Sequence, residues 1–262
     1  MIGFLGFGNM GMGLAKGMLR SASLSPMEIG ASSAHFDTLQ SRAKTLGILA
    51  YPDNLSLVKA SDWVILAVKP NKAAPVLREL GESLRGKIVC SLVVNLHFDA
   101  LDALLPEDTP HISILPNTPV EVGRGVICYE NKHSLNEIQW KKLQELLSPC
   151  GLMTGVDSSL LGIAGTVTGC GPALTALYLE AMSDAAVKHG LPRELAYTLV
   201  SEMVAGTATL RNAKSLHPGV LKDAVCSPGG TTIRGVTQLE KDGFRGNVIN
   251  AMDAIMEFSE KK

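Results

Sequence analysis

The sequence predicts an α/β chain in two parts, a doubly wound parallel sheet over residues 1–156 and an all-α domain over 157–262. Three observations carry this. Short, nearly continuous apolar runs alternate with helical stretches as far as Val156, the pattern of strands covered by helices on both faces. A Gly-x-Gly-x-x-Gly motif directly follows the first run. Beyond Ser158 the strand signals fade and apolar residues recur at helical spacing.

In order, strands are expected at 2–5, 27–31, 48–51, 63–68, 88–94, 112–115, 126–129 and 152–156. Helices are expected between most of them, at 10–20, 36–46, 55–60, 73–84, 98–105 and 135–147. Such alternation predicts parallel strands joined by right-handed crossovers. Ser134, with Glu137 three residues on, reads as a capping box opening the last of these helices. Gly47 and Gly81 stand where helices can stop. In the second part, 173–188 places Leu174, Leu177, Tyr178, Ala181, Met182 and Ala185 on a helical period, and 195–210 and 248–258 do likewise. Gly190-Leu191-Pro192 separates the first two, and His217 before Pro218 reads as a helix start. Helices with such broad apolar faces call for a second copy of the chain, so a homodimer is expected.

Bulk properties narrow the function. The chain has 262 residues, 46% hydrophobic and 19% charged, with a net charge of -1. This fits a folded protein with a sizeable core and gives no electrostatic reason to expect nucleic acid or an anionic membrane as partner. No uninterrupted apolar run of membrane-spanning length is expected, and nothing before the strand at Ile2 reads as a signal peptide. Cys90, Cys128, Cys150, Cys170 and Cys226 are scattered and odd in number, which supports neither disulfides nor a metal site. A reducing, cytoplasmic location follows as the simplest expectation. Cys170 and Cys226 read as small residues filling tight turns, since no neighbouring base would activate either as a nucleophile. Lys261-Lys262 reads as a frayed, solvated tail.

Two segments carry chemistry. In Gly6-Phe7-Gly8-Asn9-Met10-Gly11 the first glycine permits a tight turn, the second lets a pyrophosphate approach the backbone, and the third lets the helix pack on the sheet. The amides of the new helix then face the phosphates. This makes the first domain a Rossmann-like doubly wound sheet that binds a dinucleotide. The second expected strand ends in Ala31-Ser32-Ser33 without the carboxylate that would hold a bare ribose, and Glu28 lies at its wrong end. Ser32 and Ser33 can donate to a 2′-phosphate and His35 and Arg42 can add positive charge, so NADPH is expected, with NADH as the alternative. Lys69-Pro70 closes the strand at 63–68, where a ligand or solvent could meet the lysine, and Leu115–Gly123 reads as a rigid proline-bearing loop at another strand end. The second segment is Asp223–Gly235, DAVCSPGGTTIRG. Two adjacent glycines interrupt a helical region, which is either a plain helix-helix turn or a docking place for an anion.

These residues resemble the pyrroline-5-carboxylate reductase family over nearly the whole chain. The likeness rests on Gly6–Gly11, Ala67-Val68-Lys69-Pro70, Pro116-Asn117-Thr118-Pro119, Glu180–Ala196, His217-Pro218-Gly219 and, above all, Asp223–Thr232. The resemblance implies a protomer whose helical domain interlocks with a partner, sometimes built further into rings, with the active site between the nucleotide domain and the dimer's helices. It implies that Asn54 helps hold the ribose or its phosphate, that Ala67, Val68, Lys69 and Pro70 line the cofactor, and that Asn117 sits near the nicotinamide. The reaction would be hydride transfer from NADPH to the C=N carbon of 1-pyrroline-5-carboxylate, giving L-proline. The amides of Ser227, Gly229, Gly230 and Thr231, opening a helix at 232–239, would hold the substrate carboxylate. Thr232 would hydrogen-bond the ring nitrogen and relay a proton. The chain departs from the family pattern in two places that should border the reaction centre. Val93-Val94-Asn95 replaces Ala-Ala-Gly, and Thr168-Gly169-Cys170-Gly171-Pro172-Ala173-Leu174 replaces Ser-Gly-Ser-Gly-Pro-Ala-Tyr. The alternatives are a related imine or β-hydroxyacid-type reductase, or a weakly active NADP-binding regulatory paralogue.

Overall fold

The computed structural model describes residues 1–22 and 24–260, the last in backbone only; the expected tail at Lys261-Lys262 lies outside the described residues. The chain divides into two compact units, Met1–Cys170 and Gly171–Lys262.

The first unit is built from β1 (Ile2–Leu5), α1 (Asn9–Met18), β2 (Ile29–Ser32), α2 (Phe36–Leu46), β3 (Leu49–Ala50), α3 (Asn54–Ala60), β4 (Trp63–Leu66), α4 (Pro70–Leu80), β5 (Ile88–Ser91), α5 (Phe98–Asp102), β6 (His111–Pro116), β7 (Gly125–Glu130), α6 (Glu137–Leu147) and β8 (Gly151–Val156). All the expected strands are present. They form one sheet in the order β3-β2-β1-β4-β5-β6-β7-β8, whose first six members follow the doubly wound nucleotide-binding order. Strand side chains alternate between two cores. Phe4 and Ile65 join α1, α2 and α6 on one face through Leu14, Leu39 and Leu143. Leu5, Val64 and Leu66 join α3 to α5 on the other through Leu57, Leu77 and Leu101. Burial on both faces is why the strands read as continuous apolar runs.

Three sequence expectations are corrected here. Strands β6 and β7 pair antiparallel, while β7 and β8 are parallel. The link between β6 and β7 is a short 3-10 turn, Thr118–Val122, closed by Gly123 at φ 72°, and a parallel return needs a crossover of a dozen residues or more. The cap of α6 is Asn136, not Ser134. Asn136 accepts from the Gln139 amide at 2.9 Å and Gln139 accepts from the Asn136 amide at 2.9 Å, while the Ser134 hydroxyl accepts from the His111 amide on β6 at 2.8 Å. Asn caps as well as Ser does, so tertiary pairing with β6 takes Ser134 away. Gly47 and Gly81 do end α2 and α4.

The third correction concerns α7 (Ser158–Lys188), which crosses the boundary between the units. The helix expected from residue 173 starts at Ser158, so Cys170 lies inside a helix and not in a turn. Its first part carries no charge up to Leu179, and a window of mean hydropathy 1.5 makes it long and apolar enough to cross a membrane by length and composition, against the expectation that no such run exists. The second unit continues with α8 (Arg193–Lys214), α9 (Pro218–Asp223), α10 (Thr231–Lys241) and α11 (Phe244–Glu260). His217 caps α9, its Nδ1 accepting from the Gly219 amide at 3.1 Å, as its place before Pro218 suggests.

Candidate functional site

Strand register gathers the candidate residues of the first unit. Leu5 lies opposite both Ser32 and Leu66, Leu66 opposite Ser91, and Ser91 opposite Ser113. Strands β1, β2, β4 and β5 therefore end in one row, and Gly6, Ser33, Ala67 and Leu92 all follow directly from it. This is the carboxyl edge of the sheet, and β1 stands at its switch point between β2 and β4, where ligands of open α/β sheets bind.

The glycine turn separates into three roles. Gly6 has φ 88°, and a Cβ there would stand 2.7 Å from the Ala67 carbonyl oxygen, so both backbone and space require glycine. A Cβ at Gly11 would stand 2.9 Å from the Gly6 carbonyl oxygen, so this glycine lets α1 pack on the turn. Gly8 differs. Its φ of -76° suits any residue, and a Cβ there would meet nothing within 4 Å. It is the N-cap of α1 and supplies no side-chain cap, so the first-turn amides of Asn9 and Met10 stay open to an anion. Phe7 is buried edge-on against Phe4, and its carbonyl accepts from Arg42 Nη1 at 2.6 Å. That leaves Phe7 only its backbone for a ligand and brings a guanidinium to the turn. This cradle fits a dinucleotide pyrophosphate.

At the end of β2, Ser32 is buried and its hydroxyl donates to Asn54 Oδ1 at 2.7 Å. The expected direct donation by Ser32 is thus committed to Asn54, which opens α3 behind its N-cap Asp53. Ser33 is half-buried and accepts from the His35 amide at 3.5 Å, leaving its own proton to donate. Backbone and side-chain hydrogen bonds from Ser56 hold the Asp53 carboxyl below the usual carboxylate range. Past β4, Ala67 and Val68 are half-buried, and Lys69 and Pro70 are exposed as N-cap and first residue of α4. Past β5, Val93 is buried and Val94 exposed, and Asn95 takes φ 63° in a turn closed by Leu96 N to Val93 O at 3.3 Å. Asn is the usual substitute for glycine in that conformation, so the departure from Ala-Ala-Gly keeps the backbone form. Past β6, Asn117 is buried; its Oδ1 accepts from the Val126 amide at 2.8 Å and its Nδ2 donates to the Thr168 carbonyl at 3.0 Å.

In the second unit, Ser227 and Gly229 are exposed, and Gly229 takes φ 69°. Gly230 is the N-cap of α10, and its amide donates to the Ser227 carbonyl at 3.0 Å. That removes Gly230 from the expected amide donors. The amides of Thr231 and Thr232 open α10 with no side-chain cap and no acidic residue in the first turn, and both threonines are exposed. Cys226 lies in the turn before this loop. Burial pushes the Cys150 thiol up to about 12 and raises Cys90 as well, which removes both as nucleophiles. Among the described residues no group of three or more His, Cys, Asp or Glu could hold a metal ion.

Comparison with known proteins draws the two units into one family. Residues 158–262 match the family model described as pyrroline-5-carboxylate reductase dimerisation, and residues 1–95 match that described as NADP oxidoreductase, coenzyme F420-dependent. A pyrroline-5-carboxylate reductase of Treponema pallidum is 40% identical over 262 residues, covering 98% of this chain and 99% of the relative. The chain belongs to the pyrroline-5-carboxylate reductase family. The Escherichia coli reductase is 34% identical over 99% of this chain and 97% of its own. The solved Plasmodium falciparum pyrroline carboxylate reductase with NADP bound superposes with a TM-score of 0.90 at 30% identity, covering 99% of this chain and 97% of that one. The family and fold expected from the motifs are therefore borne out. The dimerisation match assigns the chain to a homodimer and accounts for the apolar exposure of α7 to α11. Sequence reasoning missed the Arg42 contact to Phe7, the left-handed Asn95 and the Asn117–Thr168 bond. Asn95 alone had a local signal, since it stands where the reductase family has glycine.

Proposed function

We propose that this protein reduces 1-pyrroline-5-carboxylate to L-proline with NADPH. The observation that carries the reading is the full-length likeness to a pyrroline-5-carboxylate reductase, at 40% identity. NADPH supplies the hydride that reaches the C=N carbon, and the protein's work is placement and polarity. The amides after Gly8 hold the pyrophosphate. Asn54, oriented by Ser32, and Ser33 face the ribose and its phosphate, and the Arg42 guanidinium adds positive charge beside the turn. Ala67, Val68, Lys69 and Pro70 line the cofactor. The amides of Thr231 and Thr232 at the start of α10, with Ser227 and Gly229 shaping the bend, hold the substrate carboxylate. The Thr232 hydroxyl hydrogen-bonds the ring nitrogen and relays a proton to it from solvent. The functional division lies at Val156, ahead of the dimerisation match, the dimers build further into a ring, and the enzyme works in the cytoplasm, where its five free thiols stay reduced.

Purified protein is assayed with NADPH or NADH and pyrroline-5-carboxylate, following cofactor oxidation and L-proline formation. Expected are proline formation and a preference for NADPH. NADPH binding without turnover would favour the regulatory alternative, and a strong NADH preference would overturn the roles of Ser33 and Arg42. Thr232→Ala should lower kcat by about tenfold or more; full activity would remove its proton role. Sedimentation of the same sample decides between dimer and ring.

A further inference from the structure

Helix α7 contains Pro172. In an α-helix each carbonyl accepts from the N–H four residues on, and the residue four on from Thr168 is Pro172, which has no N–H and whose ring pushes that carbonyl outward. The carbonyl left without its helical donor is the one that Asn117 Nδ2 reaches at 3.0 Å. Asn117 is only 7% exposed. Its other amide atom is held by the Val126 N–H at 2.8 Å, and its own backbone N–H donates to the Val126 carbonyl at 3.2 Å. The side chain is therefore fixed to β7 at one end and to α7 at the other. Gly165 makes the approach of α7 to β6 tolerable, since a Cβ there would stand 2.6 Å from Leu115 Cδ1. The Thr168 hydroxyl also bonds back to the Ala164 carbonyl at 2.8 Å, a contact that favours local bending.

We propose that Asn117 is a positioning residue that acts through α7, its amide N–H replacing the helical N–H that Pro172 lacks and so setting the backbone of Thr168–Pro172. The consequence for catalysis rests on the proposed function and on the family resemblance, which implies that Thr168–Leu174 borders the reaction centre. Asn117 then affects the reaction through α7, with Oδ1 and one Nδ2 N–H committed within the protein. Two of the three departures from the family pattern in this stretch, Thr168 and Cys170, fall in the segment that Asn117 holds.

A mutant cycle tests this in the full-length protein, using Asn117→Ala, Asn117→Asp, Pro172→Ala and the Asn117→Ala/Pro172→Ala double variant. Measurements are kcat and KM with NADPH and pyrroline-5-carboxylate, the NADPH Kd, and the thermal midpoint. Loss of one hydrogen bond to the half-buried Thr168 backbone converts to a loss of about tenfold. Asn117→Ala should therefore lower kcat by about tenfold while the NADPH Kd stays within about twofold. Asn117→Asp keeps the acceptor for Val126 and loses the donor to Thr168, so it should fall as far. Pro172→Ala returns an N–H to the Thr168 carbonyl, and in that background Asn117→Ala should cost less than about threefold. Equal losses in both backgrounds, or a loss that shows in the NADPH Kd, would overturn the proposal. If the wild type does not turn over pyrroline-5-carboxylate, the proposed reaction fails on its own. The brace is then read from the thermal midpoint, which Asn117→Ala should lower further in the wild type than in the Pro172→Ala background, where only the loss of the Val126 bond remains.

Discussion

Gly6, Gly8 and Gly11 share one motif but answer to different forces. Gly6 is held by its positive φ and by the Ala67 carbonyl, Gly11 by the Gly6 carbonyl, and Gly8 by neither. Nothing in the fold requires glycine at position 8, so its smallness serves what approaches from outside. Gly8→Val should leave thermal stability within about 1 kcal/mol of wild type and weaken the NADPH Kd by about tenfold or more. Gly11→Val should instead cost about 1–3 kcal/mol by overpacking. Thermal melts and NADPH titration of both variants check the contrast; equal destabilisation would mean that Gly8 is structural. The motif was legible from spacing alone. So was the glycine that faces the ligand; what holds Gly6 was not, because that is the Ala67 carbonyl just past β4, far along the chain.

At the scale of elements, helix starts were read from single residues and their neighbours settled them. Ser134 and Asn136 are both good caps for α6, and the local sequence permits either. The choice belongs to β6, whose His111 amide engages Ser134 and leaves Asn136 to form the capping box with Gln139. Asn136→Ala should therefore cost about 1 kcal/mol through the lost cap, measured by urea unfolding. If Ser134→Ala lowers stability as well, the loss should come with exposure of the His111 amide, seen in its hydrogen exchange, and not with fraying of α6. The same limit applies to α7. Gly169, Gly171 and Pro172 are local helix breakers, yet the helix runs through them, and the Asn117 bond gives the Thr168 carbonyl the donor that Pro172 removes. The antiparallel turn between β6 and β7 follows from a connector too short for a crossover, which alternation of strand and helix periods does not reveal.

The two units differ most at the scale of the molecule. The first carries two apolar cores around its sheet. From Gly171 on, Ala196 and Val200 are the only buried hydrophobic residues among the described ones. Leu195, Leu199 and Met203 form an exposed stripe on α8 at spacing of one helical turn. A helical unit with so little interior draws its stability from association, and folding and dimerisation are then linked. Leu199→Glu should shift the dimer toward monomer in sedimentation and lower the thermal midpoint in a concentration-dependent way. A variant that stays fully dimeric at low concentration would place the interface elsewhere on the unit.

The sequence by itself determined the element types, the dinucleotide turn, the family and the need for a partner copy. Those follow from periodicity, from glycine spacing and from an apolar content that one small helical unit cannot bury. Tertiary structure alone decided strand direction at β6–β7, the cap of α6, the continuity of α7, and the commitments of Ser32 to Asn54 and Asn117 to Thr168. Each of these turns on a hydrogen-bonding group whose partner lies outside its local segment. Buried donors and acceptors must be satisfied somewhere, and where they are satisfied is a property of the fold.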